Sequence, residues 1–130
     1  MLSITTKSPY AIAALAELGR AGEGGPPVPI GELARRRDIP VQFLEQLFAA
    51  LRRAGMLRSF RGVKGGYSFA RAPESISVLE VVELLDGPVG ADAEGIFAEA
   101  AEAARGVLAS ITIAEVIERE ARERGAMYYI

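Results

Sequence analysis

Apolar residues recur along the chain with two spacings, and the change from one to the other outlines the elements. Tyr10 to Leu18 is apolar almost all round, which predicts a helix buried between other elements. Ser8 and Pro9 suit its N-cap and first helical position. Gly19 to Pro29 carries four Gly and three Pro and predicts a loop. Ile30, Leu33 and Ala34 share a helical face in a short helix ending at Arg37, and Asp38, Ile39 and Pro40 predict a tight turn. Leu44, Leu47, Phe48 and Leu51 mark the buried face of a longer helix, residues 41–54, with Gly55 suited to a left-handed end.

From Met56 the spacing shortens. Met56 to Arg61 and Tyr67 to Ala70 are short extended runs around the turn Gly62 to Gly66, a predicted β-hairpin. Ser77 and Glu80 match a capping box opening a helix that stops at Gly87 and Pro88. Ala91 to Ala109 is helical in composition, and Thr112 with Glu115 forms a second capping pattern before a last helix running to about Arg124. The predicted fold class is mainly α with a small β-hairpin. Residues 1–88 make the head and residues 89–130 a helical appendage.

Charge divides earlier, after residue 72. Residues 1–72 hold eleven Lys/Arg and five Asp/Glu, whereas residues 73–130 hold four Arg and twelve Asp/Glu. The formal net charge of −2 conceals a basic first half, as expected of a head that meets a polyanion. Cysteine and histidine are both absent. Disulfides, thiolate or imidazole nucleophiles and Cys/His metal sites are therefore excluded, and with no phosphate-binding loop an enzyme is not expected. No apolar run is long enough to span a bilayer, and the first residues lack the layout of a signal peptide, so a cytoplasmic protein without membrane contact is expected.

Short helix, tight turn, longer helix and hairpin, in that order, is the layout of a winged helix-turn-helix. The long helix buries Leu44, Leu47, Phe48 and Leu51 and leaves Gln42, Phe43, Glu45, Gln46, Ala49, Arg52 and Arg53 on or near its outer side. Glutamine can read adenine, Glu can accept from cytosine, and an apolar group can touch a thymine methyl. Arg61, Gly62, Lys64, Gly65 and Gly66 make a hairpin tip in which glycines allow close backbone approach to double-stranded DNA and Arg61 suits a minor groove.

The sequence resembles Rrf2-type regulators. The matching segments are Thr5 to Lys7 with Tyr10 and Ala11, Ile30 to Ala34, Phe43 to Phe48, Leu51 to Gly55, Arg61 and Gly62 with Gly65 to Tyr67, Ile76 and Ser77 through Asp86 to Pro88, and Ile111 to Ile113. The resemblance implies a homodimeric regulator, usually a repressor, with one winged head per subunit and long C-terminal helices crossing to form the dimer. It matches Gln42, Phe43, Glu45 and Gln46 to base-reading positions, residues 61–66 to the wing, and Lys7 and Tyr10 to phosphate contacts. Many relatives hold an iron–sulfur cluster through three cysteines just after the helix ending in Asp-Gly-Pro. Here residues 89–95 contain no thiol, so a thiolate-held cluster is excluded and no cofactor is expected. Pro29 stands where relatives often carry a Ser cap.

Several residues have a second reading. Phe43 suits either core or DNA, and Arg35, Arg36 and Arg37 form either a solvated face or a phosphate contact. Arg52 and Arg53 either complement the helix dipole or touch DNA. Glu45 either reads a base or pairs with an Arg. Ile96, Phe97, Ala100, Ala101, Ala104, Val107 and Leu108 form an apolar stripe for dimerisation or for packing within one chain. A possible small-molecule or protein effector is left open. The rival to a DNA-binding regulator is a winged-helix protein-interaction module in a chromosome-associated complex, docking through the acidic second half and Tyr128, Tyr129 and Ile130.

Overall fold

The computed structural model describes residues 7–21 and 25–128, with side chains up to residue 125. Six helices and one hairpin follow in the order α1 (Lys7–Arg20), α2 (Ile30–Arg37), α3 (Val41–Arg53), β1 (Leu57–Phe60), β2 (Gly66–Phe69), α4 (Val78–Asp86), α5 (Ile96–Ser110) and α6 (Ile113–Tyr128). A single 3-10 turn, Pro73–Ser75, joins the hairpin to α4.

The buried faces explain these elements. α1 buries Ala11, Ala14, Leu15, Ala16 and Leu18, so it runs through the centre of the molecule. Ser8 lies inside this helix, not before it as a cap; it is buried and donates its hydroxyl to the Asp86 carboxylate at the end of α4. α3 buries Leu44, Leu47, Phe48 and Leu51 against α1, α2 and α4. Each such side chain contributes roughly 1.5–3 kcal/mol of burial free energy. α3 ends at Ala54 with Gly55 at φ 81°, as its sequence anticipates. The turn before α3 uses Asp38 in the left-handed region, φ 54°, which Asp tolerates better than most residues. Pro29, ahead of α2, makes no side-chain cap.

β1 and β2 are antiparallel, with Leu57 opposite Phe69 and Phe60 opposite Gly66. Val28 adds a third rail: its N–H donates to the Tyr67 carbonyl and its carbonyl accepts from the Tyr67 N–H, each at 2.9 Å. Tyr67 also meets Phe48 edge to face, centroids 5.1 Å apart, joining the hairpin root to the α3 core.

Ser77 and Glu80 form the full capping box of α4, with Glu80 N–H to Ser77 Oγ at 3.1 Å and Ser77 N–H to Glu80 Oε2 at 2.9 Å. Thr112 caps α6 through the Glu115 N–H at 3.1 Å, while the Glu115 carboxylate turns to Arg119. α5 starts at Ile96, five residues later than composition suggests, because residues 89–95 are wound through Gly90 and Gly95 at positive φ. α6 reaches Tyr128, beyond the expected end near Arg124.

The core does not stop at residue 88. Val89 and Ile113 belong to the same buried cluster as α1 and α3, and Ile76 and Val78 hydrogen-bond the strand-like link at Ile111 and Ile113. Packing is therefore continuous across the boundary between residues 88 and 89, and the charge division falls earlier, after residue 72. α6 lies along α1 so closely that a Cβ on Gly19 would fall 2.1 Å from Ile117 Cδ1.

Candidate nucleic-acid interface

α3 presents Gln42, Glu45, Gln46, Arg52 and Arg53 to solvent on the side away from its core stripe. Glu45 makes no ion pair among the described residues, so the alternative of an intramolecular Arg partner is not realised. Phe43 lies between the two readings: it is partly buried against the core, and its ring meets Tyr10 edge to face at 5.6 Å. The Phe43–Tyr10 pair props the start of α3 on the start of α1 and leaves the Tyr10 side chain at the surface, with Lys7 exposed one turn earlier.

Beyond α3 the hairpin projects. Val63 at its tip is 105% exposed, so nothing among the described residues covers this turn. Arg61, Gly62 and Lys64 surround it and are also exposed. The three glycines have different local causes. Gly62, φ 102°, faces open space, so its conformation alone calls for glycine. A Cβ on Gly65 would lie 2.2 Å from the Phe60 carbonyl oxygen, and one on Gly66 would lie 2.4 Å from the Val28 carbonyl. Gly65 thus closes the turn and Gly66 seats the hairpin root against Val28.

Arg52, Arg53, Arg58, Arg61 and Lys64 are all exposed and make no ion pair or side-chain hydrogen bond among the described residues. They lie on consecutive elements, the end of α3 and the hairpin. Arg58 belongs to no motif; its signal in the sequence is its place beside buried Leu57, which alternation turns to the opposite face of β1.

The other arginines of the head behave differently. Glu17, buried in α1, accepts from Arg20 Nε at 2.9 Å, Arg36 Nη1 at 3.2 Å and Arg37 Nε at 2.9 Å. Arg37 continues to Glu120 of α6, with Nη2 to Oε1 at 2.6 Å and Nη1 to Oε2 at 3.3 Å, and Arg36 to Glu32 at 2.7 Å. Burial pushes the Glu17 carboxyl up, but the hydrogen bonds and charges of the arginines more than offset it and hold it at about 2. Arg37 is turned inward, neither on a solvated face nor on a phosphate-facing one, whereas Arg36 stays at the exposed surface while pairing with Glu17 and Glu32. Arg35 remains exposed, 3.7 Å from Glu32.

The α5 stripe divides in the same way. Ala101 is buried under the 87–95 segment, where a Cβ on Gly90 would lie 2.2 Å from its own, and Leu108 packs on the core. Ala101 is thus covered by its own chain and is not available to a dimer stripe, while Leu108 is only partly covered. Ala104 is half-buried. Ile96, Phe97, Ala100 and Val107 remain exposed. Tyr129, Ile130 and the Tyr128 side chain lie outside the described residues.

A family model described as an iron-dependent transcriptional regulator, Rrf2, matches residues 4–95, the whole helix-turn-helix and hairpin included. The chain belongs to the Rrf2 family of transcriptional regulators. Among curated members, it is 43% identical over 91 residues to the HTH-type transcriptional regulator IscR of Cereibacter sphaeroides, and 38% identical over 90 residues to that of Escherichia coli. Those alignments span 69% of this chain and only 59% and 55% of the relatives, so the chain matches little more than half of their length. Among solved Rrf2-like structures, IscR of T. potens superposes with a TM-score of 0.82 at 33% identity, over 98% of this chain and 97% of that one. CymR, the global cysteine regulator of B. subtilis, gives 0.81 at 30%, over 92% and 98%.

The iron that the family model names does not fit the donors present. The chain has no Cys and no His, and the 87–95 segment offers only the exposed carboxylates of Asp92 and Glu94. Among the described residues no group of three potential ligands gathers anywhere. Sulfide-bridged iron requires thiolate or imidazole ligands, and this segment instead packs Val89 into the core.

Proposed function

We propose that this protein is a dimeric, sequence-specific DNA-binding transcriptional regulator, a repressor, that acts in the cytoplasm without an iron–sulfur cluster. The observation that carries this reading is the cluster of five exposed, unpaired cations on the end of α3 and the hairpin, flanking the exposed Gln42, Glu45 and Gln46. α3 enters a major groove, where Gln46 and Gln42 recognise adenine and Glu45 accepts from cytosine. The hairpin serves as the wing, with Arg61 in the adjoining minor groove and Lys64, Arg52 and Arg53 on phosphates. Lys7 and Tyr10 add phosphate contacts from α1.

Support for a second copy comes from α5. Ile96, Phe97 and Val107 are exposed large apolar residues on a helix whose only fully buried residue is Ala101, and Leu84 of α4 is exposed as well. A surface of this kind is covered by a partner helix more readily than by water. Residues 89–130 then supply the dimer contacts and residues 1–88 the DNA head. Two-fold symmetry requires a pseudo-palindromic operator with half-sites roughly 34–36 Å apart or a multiple of that.

Selection of bound duplexes from random or genomic DNA, followed by affinity measurement across salt, tests the reading. The logarithm of the association constant should fall steeply and linearly with that of salt concentration, because Lys/Arg–phosphate contacts release counterions. A flat salt response, or retention of a protein partner with no DNA, would defeat it.

A further inference from the structure

α6 carries no DNA-facing residue in this scheme, yet it is wired directly to the helix-turn-helix. The wire is Arg37, the last residue of α2. One edge of its guanidinium donates to Glu17 of α1 and the other makes a two-bonded fork with Glu120 of α6. The three side chains are only 5%, 21% and 26% exposed for Glu17, Arg37 and Glu120, so the bonds form in a site largely shielded from water. Bidentate Arg–carboxylate pairs fix direction as well as distance. Only three residues separate Arg37 from the start of α3. On its other side, α6 is joined to α5, whose exposed apolar face is the proposed dimer surface, by a two-residue link held to Ile76 and Ser77.

We propose that Arg37, clasped between Glu17 and Glu120, is a positioning residue that sets the angle of the recognition helix relative to the dimer helices and so selects the half-site spacing of the operator. This rests on the reading of the protein as a dimeric DNA binder. Arg37 stands in a run of three arginines that resembles a phosphate-binding patch, and the clasp gives it a different task. A phosphate-contacting arginine adds affinity for any duplex. An arginine turned inward adds nothing to the salt dependence but decides whether two heads meet two grooves at once.

The test uses the full chain, the best-bound duplex from selection, and derivatives with base pairs added or removed between half-sites. Arg37→Gln, Arg37→Lys, Glu120→Gln and the double variant Arg37→Gln/Glu120→Gln are compared with wild type. Loss of the clasp should reduce the preference for the correct spacing by about 3- to 10-fold. Arg37→Gln and Glu120→Gln should do so alike, with no further loss in the double variant, and Arg37→Lys should keep only part of the preference because ammonium cannot form the fork. The salt slope should stay at the wild-type value throughout. A slope lowered by about one in Arg37→Gln and unchanged in Glu120→Gln would make Arg37 a phosphate contact and overturn the proposal. So would an unchanged spacing preference in the partly exposed, near-isosteric Glu120→Gln, which tests the clasp even if Arg37→Gln fails to fold. Wild-type protein that binds single half-sites as well as paired ones would instead bring down the dimeric reading on which the proposal stands.

Discussion

Arg36 and Arg37 close the end of α2, and Arg52 and Arg53 close the end of α3. Both pairs sit where a helix favours cations, on neighbouring helices of one motif. Only the first pair has carboxylates within reach: Glu17 and Glu32 for Arg36, Glu17 and Glu120 for Arg37. The second pair faces solvent beside the wing with no partner among the described residues. The difference teaches that a cation is available to DNA only when the fold withholds an anion from it. Arg20, Arg36, Arg37 and Arg71 are all committed to internal carboxylates, so the basic excess of the head narrows to the end of α3 and the hairpin.

The strongest break of this contrast is at Glu17. Glu17→Ala takes the carboxylate from Arg20 and leaves Arg36 and Arg37 with only Glu32 and Glu120, and should cost about 3 kcal/mol in denaturant unfolding, while the folded protein keeps the DNA salt slope unchanged. A slope that steepens with Glu17→Ala would mean that the released arginines reach DNA and that the two arginine groups are not separate.

Acid should act on the same carboxylate. Glu17 is held at about 2 against an ordinary value of 4.5, so its contribution, about 3 kcal/mol, is complete above pH 4.5 and disappears as pH falls toward 2. Unfolding free energy followed from pH 7 to pH 2 should show this loss, and Glu17→Gln should remove that part of the curve.

On the other side of the contrast, Gln46→Ala should leave stability nearly unchanged and erase about 1–3 kcal/mol of discrimination at one base pair of the selected site. Repeating the selection with the variant reads this directly. Smallest of all, Lys64→Ala should weaken every duplex similarly and lower the salt slope by about one. If Lys64→Ala changed sequence preference instead, the wing would be reading bases as well as backbone.

Local patterns made α2, α3 and the hairpin legible from the sequence, because each is built from neighbours within a few residues. The faces of α3 followed from the spacing of Leu44, Leu47, Phe48 and Leu51 alone. The fate of Arg37 did not, since its partner Glu120 is 83 residues away and nothing local points to it. Ser8 illustrates the same limit: its composition suggests a cap, while its hydroxyl is claimed by Asp86, 78 residues on. The α5 stripe could be seen but not divided, because which alanines turn inward depends on how Gly90 winds the preceding segment. Arg58 is not legible in the sequence because a lone cation on a short strand carries no motif.

Val28, in the stretch leading into α2, lends its backbone to the hairpin, and Gly66 exists without a side chain so that this can happen. The projecting tip is therefore bolted at its base to the scaffold that also carries the helix-turn-helix. Folding thus fixes where the tip stands relative to α3, while Arg61 and Lys64, unbonded at its end, keep the side-chain freedom with which to settle on a duplex.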